Sequence, residues 1–134
     1  MPDSYVLDSY ALLTYFNSEP AGAEVKRLLE AANEQQTALF LSQINLGEIY
    51  YIAYRRRGPD KAQEAIKTLR ALPITLCEAS EVRILAAAEI KAQHSVSYAD
   101  AFGAALAQEL RATLVTGDPE FKKLEPGLAV MWLP

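Results

Sequence analysis

Short apolar runs alternate along the chain with longer stretches whose apolar positions recur every three or four residues. The short runs are SYVL at 4–7, ALFLS at 38–42, PITLC at 73–77, ATLVT at 112–116 and LAVMWL at 128–133, and each predicts a strand. Between them the periodicity predicts helices near 9–17, 22–35, 43–57, 60–71, 79–93 and 98–110. This alternation points to an α/β fold on a mainly parallel sheet. Pro20, Gly22, Gly58, Pro59, Pro126 and Gly127 punctuate the chain where turns are expected. Three stripes read as core: Val25, Leu28, Leu29 and Ala32; Ala62, Ala65, Ile66 and Leu69; and Val82, Ile84, Leu85, Ala88 and Ile90.

Composition narrows the class. With 134 residues, 51% of them apolar, the chain can bury roughly two-thirds of its unfolded surface. A single domain over 1–134 with one core is expected. No apolar run reaches the roughly 18 residues of a membrane span, and MPDSYVLDS lacks the positive start and apolar stretch of a signal peptide. The expectation is a cytoplasmic protein with no membrane partner. One cysteine, Cys77, excludes an internal disulfide and reads as a buried strand end. Seventeen acidic against 13 basic residues leave a net charge of -4, so a nucleic acid would have to be met by a local basic patch.

Four acids stand in surroundings that do not suit a solvated charge. Asp8 lies between the apolar run ending at Leu7 and a helical run with Leu12, Leu13 and Phe16. Glu48 shares a helix face with Ile44 and Ile52. Asp100 is the only charge between Ser95 and Glu109, among the small residues Gly103, Ala104 and Ala107. Asp118 follows the strand ATLVT and precedes Pro119. Taken singly, the aspartates have a plain explanation as helix caps: Asp8 before Ser9, Asp118 before Pro119, and Asp100 in a capping box with Ser97. Glu48 could equally reach water along its flexible stem.

Their placement changes the weighing. Asp8 and Asp118 both follow carboxyl ends of strands, where open α/β sheets gather their ligands. If those strands are neighbours, the acids converge, and Glu48 and Asp100 can close the group from flanking helices. Two carboxylates 4 Å apart repel by about 4 kcal/mol at an effective dielectric near 20, so four require a counter-ion. All-oxygen ligands suit Mg²⁺ or Mn²⁺, and carboxylate-held metals are a standard device for phosphodiester hydrolysis.

The motifs VLDSYALLTYF, NLGEIYY, SYADAFGAALA and LVTGDPEF, in that order over nearly the whole chain, resemble those of the PIN-domain nucleases. In size and motif order the chain is similar to the VapC ribonuclease toxins of bacterial and archaeal toxin–antitoxin modules. The resemblance implies a three-layer α/β/α sandwich with strand order 3-2-1-4-5, and an acidic site at Asp8, Glu48, Asp100 and Asp118. Asp8, Asp100 and Asp118 would hold Mg²⁺ or Mn²⁺, with Glu48 binding a second ion or positioning water. Ser9 and Thr116 match the family's supporting hydroxyls. The resemblance also implies cleavage of structured RNA such as tRNA or rRNA, a homodimer and a small antitoxin protein covering the site.

Candidate RNA contacts are Arg55, Arg56 and Arg57, which also suit a helix C-terminus, and Lys122 and Lys123 after Asp118. Tyr10, Tyr15, Tyr50, Tyr51 and Tyr54 suit either core packing or an interface. His94 reads as a surface residue and Trp132 as a packed strand end. A housekeeping PIN nuclease is the nearest alternative. A receiver-like Mg-binding regulatory domain fits poorly, because the middle strand ends at Ser42 and no lysine follows ATLVT before Lys122. A haloacid dehalogenase-type phosphatase would need Asp-x-Asp where the chain has Asp8-Ser9-Tyr10.

Overall fold

The computed structural model describes residues 2–134. Strand β1 (Asp3–Leu7) leads into α1 (Ser9–Phe16) and α2 (Gly22–Asn33), and β2 (Thr37–Ser42) into α3 (Gln43–Arg57) and α4 (Pro59–Ala71). Strand β3 (Thr75–Cys77) precedes α5 (Glu81–Gln93) and α6 (Tyr98–Leu110), followed by β4 (Thr113–Thr116), a 3-10 turn at Pro119–Leu124 and β5 (Val130–Trp132). The strands form one sheet in the order β3-β2-β1-β4-β5, and every neighbouring pair is parallel. This is the three-layer α/β/α architecture expected from the motifs.

The period-two alternation of the strands splits the apolar residues between the two faces of the sheet. Leu7, Leu39, Leu41 and Val115 turn to one face with residues of α1, α2, α3 and α4. Val6 and Leu114 turn to the other with α5, α6 and Phe121. The expected single core is therefore two, divided by the sheet. Helix α6 is buried along most of its length, because its Ala and Gly residues let its backbone lie close to the strands.

Three sequence expectations need correction. Strand β3 begins at Thr75, since Pro73 has no N–H for the ladder. Strand β5 is confined to Val130–Trp132, although Ala129 O accepts from Leu114 N and Leu133 N donates to Thr116 O just outside it. The stripe on α5 is core only in part: Val82 is 77% exposed and Leu85 59%, while Ile90 packs against the core and the buried residue of that helix is Ala87. Helix α5 turns Ala87 and Ile90 inward, so Val82, Ile84 and Leu85 at its start lie on the other side. Cys77 is buried and His94 exposed, as expected. No helix among the described residues is long and apolar enough to cross a membrane.

Candidate active site

Parallel pairing of β1 with both β2 and β4 brings the carboxyl ends of three strands to one end of the sheet. Leu7 is in register with Val115, so the residues that follow, Asp8 and Thr116, lie side by side although they are 108 positions apart. Asp8 is 2% exposed. Its Oδ1 caps α1 by accepting from Ala11 N at 2.8 Å, and its Oδ2 accepts from Thr116 Oγ1 at 2.5 Å. The Thr116 hydroxyl in turn accepts from Asp118 N at 3.0 Å, and Asp118 Oδ1 caps the 3-10 turn at Glu120 N. One buried hydroxyl thus ties two of the acids together.

A second chain of bonds holds Glu48. Ser42 ends β2 and caps α3 by accepting from Ile44 N, which starts the helix at the same end of the sheet and puts Glu48 in its second turn. Glu48 Oε1 accepts a short bond from Ser9 Oγ and a longer one, 3.4 Å, from Asn45 Nδ2. Asn45 Nδ2 also donates to Ala99 O at 3.2 Å, next to Asp100 on α6. Ser97 caps α6 by accepting from Asp100 N at 3.1 Å. The return bond of a full capping box, from Ser97 N–H to the Asp100 carboxylate, is not formed, so the cap does not account for that carboxylate.

Burial and charge act together on these groups. Asp8 is pushed up to about 7 from 3.8, first by burial, against the relief of the Thr116 and Ala11 bonds, and further by the charges of Asp100 and Glu48. Asp100 is pushed up to about 6, first by burial, then by Asp118 and Glu48, with the Ser97 hydroxyl easing it back and Glu120 adding to the rise. All four sequence candidates therefore meet at one face, with Asp100 feeling the charge of Asp118, Glu48 and Glu120. Among the described residues no three acids, histidines or cysteines close into a ready-made cation cage. The acids act on one another through space, as like charges.

The arginines do not join this face. Arg55, Arg56 and Arg57 form the last turn of α3, about 10 Å or more along the axis from Glu48 at 1.5 Å per residue. Arg55 lies over the Tyr51 ring, with 5.0 Å from its guanidinium carbon to the ring centroid. Arg56 and Arg57 line a groove of about 200 Å³ between α1, α3 and α4 with Leu13, Phe16 and Lys61. Lys122 lies over the Trp132 ring at 5.9 Å.

The PIN-domain family model matches residues 5–125. The chain belongs to the PIN-domain family. Solved structures sharing its fold include VapBC2 from Rickettsia felis bound to a DNA fragment from its promoter, with a TM-score of 0.78, 19% identity and coverage of 98% of this chain and 99% of that one. VapBC-1 from nontypeable Haemophilus influenzae gives 0.72 at 20% identity, covering 96% and 97%. Mycobacterium tuberculosis VapC20, a toxin that cleaves the sarcin-ricin loop, gives 0.71 at 17% identity, covering 92% and 95%. A comparison with curated protein sequences finds no match.

Two residues of this PIN domain's acidic face escaped the sequence reading. Glu120 had a faint signal in its place two residues after Asp118; its carboxylate is paired with Lys123 at 2.6 Å. Asn45 had none, because its role depends on α6 crossing α3. Its Oδ1 is buried without a partner, and there is room for it because position 103 is glycine: a Cβ there would stand 3.4 Å from that oxygen. Both neighbours of Nδ2 are acceptors, so only an amide suits the position. Asn45→Asp should lower the unfolding free energy at neutral pH by about 2–4 kcal/mol. Urea unfolding checks this, and a cost under about 0.5 kcal/mol would mean that the amide clamps nothing.

Proposed function

We propose that this chain is a divalent-metal-dependent endoribonuclease and the toxin of a VapBC-type pair. The observation that carries the reading is the meeting of Asp8, Glu48, Asp100 and Asp118 at the carboxyl ends of β1, β2 and β4, with burial and mutual charge raising Asp8 and Asp100. The mutual repulsion that adds to these rises is what a bound cation would relieve. Its donors are carboxylate oxygens, while Cys77 is buried at the end of β3 and His94 lies on the surface, so the donor set fits Mg²⁺ or Mn²⁺. Asp8, Asp100 and Asp118 would hold the ion, with Glu48 beside them. When bound, such an ion lowers the pKa of attacking water and offsets charge on the leaving oxygen.

The chain's own groups supply the order. The Ala11 N–H and the Thr116 hydroxyl fix both oxygens of Asp8. Ser9 and Asn45 hold Glu48 by Oε1, leaving Oε2 to accept the proton of the attacking water. Water adds to phosphorus as the bond to the leaving ribose oxygen breaks. RNA as substrate is supported by the likeness to VapC20, and a protein antitoxin by the likeness to the VapBC complexes. The groove lined by Leu13 and Phe16 and by Arg56, Arg57 and Lys61 against the one acid Glu64 suits an acidic, apolar-faced segment of such a partner. The uncovered Val82 and Leu85 on α5 are surface that a second copy would bury in a homodimer.

Expression of the chain in a bacterial host tests the reading. Growth arrest with RNA fragments that need Mg²⁺ or Mn²⁺, both lost in Asp100→Ala, is the expected result. RNA cleavage undiminished by a chelator and by Asp100→Ala would refute it.

A further inference from the structure

Tyr10 follows Ser9, whose hydroxyl holds Glu48, and is 41% exposed. Its ring tip lies over Gly117, between Thr116 and Asp118. A Cβ built on Gly117 would stand 2.3 Å from Tyr10 Cε1, 2.7 Å from Cζ and 3.0 Å from the hydroxyl oxygen. Any side chain at position 117 would displace the ring. The ring therefore bridges the loop that carries Asp8 and the loop that carries Asp118. It belongs to neither core cluster, and its hydroxyl makes no hydrogen bond within the described chain.

A strand of RNA meets a difficulty at this face. Four carboxylates and Glu120 repel its phosphates, and the nearby cations are engaged: Lys123 Nζ bonds Glu120 and Ser95 O, and Lys122 lies over Trp132. The proposed ion would offset this repulsion at the scissile phosphate alone, so a contact that holds a flanking nucleotide beside the acids is best an uncharged one. An exposed aromatic ring supplies one, because every nucleobase has a π-face that can stack on it. Bases inside a duplex cannot reach such a ring; only an unpaired one can.

We infer that Tyr10, seated on Gly117, is a stacking platform for an unpaired nucleobase of the substrate. The inference rests on the nuclease reading above and adds a residue that positions the substrate beside its acids. The test is fluorescence anisotropy of a labelled single-stranded oligoribonucleotide, and of the same sequence as a duplex, with Ca²⁺ replacing Mg²⁺. Tyr10→Leu, which keeps an apolar side chain over Gly117, should weaken single-strand binding about tenfold, within the range one stacked base contributes. Tyr10→Phe should stay within about twofold of the parent chain, since it keeps the ring. Duplex binding should not respond to either change.

Single-strand affinity unchanged in Tyr10→Leu overturns the inference, as does an equal loss in Tyr10→Phe, which would assign the contact to the hydroxyl. So does a Tyr10→Leu chain that releases a co-expressed antitoxin but keeps its strand affinity. A parent chain that cleaves RNA but fails these comparisons leaves the nuclease reading standing. One that neither binds nor cleaves RNA overturns both.

Discussion

Asp8→Asn is expected to reduce RNA cleavage at least about 100-fold while making the metal-free chain more stable at pH 7.5. The substitution separates the two roles that Asp8 fills. As a cap, asparagine serves as well as aspartate: its Oδ1 can still accept from Ala11 N, and the Thr116 hydroxyl can turn to accept from the new amide. If capping were the whole role, the variant would behave like the parent. As part of the acidic face, the carboxylate contributes a charge that an amide cannot replace. Removing it also relieves the burial and the repulsion from Asp100 and Glu48 that push Asp8 to about 7. A gain of about 2 kcal/mol in urea unfolding is expected. Retained cleavage, or lost cleavage with lost stability, would count against the assignment.

The metal-free chain should lose stability as pH rises from 5 to 7.5, by about 3 kcal/mol. Below the ordinary carboxylate value of 3.8, folded and unfolded chains both hold the Asp8 proton, and no penalty arises. Between there and about 7 the unfolded chain releases that proton while the folded chain keeps it. The unfolded state binds fewer protons, so stability falls with rising pH until the folded form ionises too. Asp100 acts in the same direction up to about 6, through partly the same repulsion, so the two effects do not add in full. Millimolar Mg²⁺ or Mn²⁺ should flatten the curve by supplying the missing positive charge. Unfolding measured in a chelator that is flat or rising over this interval would show that the carboxylates do not burden the fold.

Individual elements show which parts of the molecule could be read early. Sheet order came from the resemblance to PIN-domain nucleases that the motifs carry, and each acid stood out because a charge interrupted an apolar pattern. The α5 face was partly misplaced because EVRILAAAEIKAQ carries Val82, Ile84 and Leu85 outside and turns in Ala87, which a hydrophobic pattern weighs too lightly, beside Ile90. The cap explanations of Asp8 and Asp118 were correct and incomplete: both caps form, and both residues still face the other acids. The arginines satisfied a charge pattern, yet α3 carries them away from the strand ends.

What the sequence by itself determined is the set of elements and the oddity of four acids, because hydrophobic period and capping are local and act over a few residues. Tertiary structure alone decided that the Thr116 hydroxyl would bind Asp8, that Asn45 would join Glu48 to the start of α6, and that Tyr10 would rest on Gly117. Those contacts arise where a parallel crossover sets β1 beside β4 and a helix of small residues lets α6 close on α3. No local pattern records which distant residue will stand opposite.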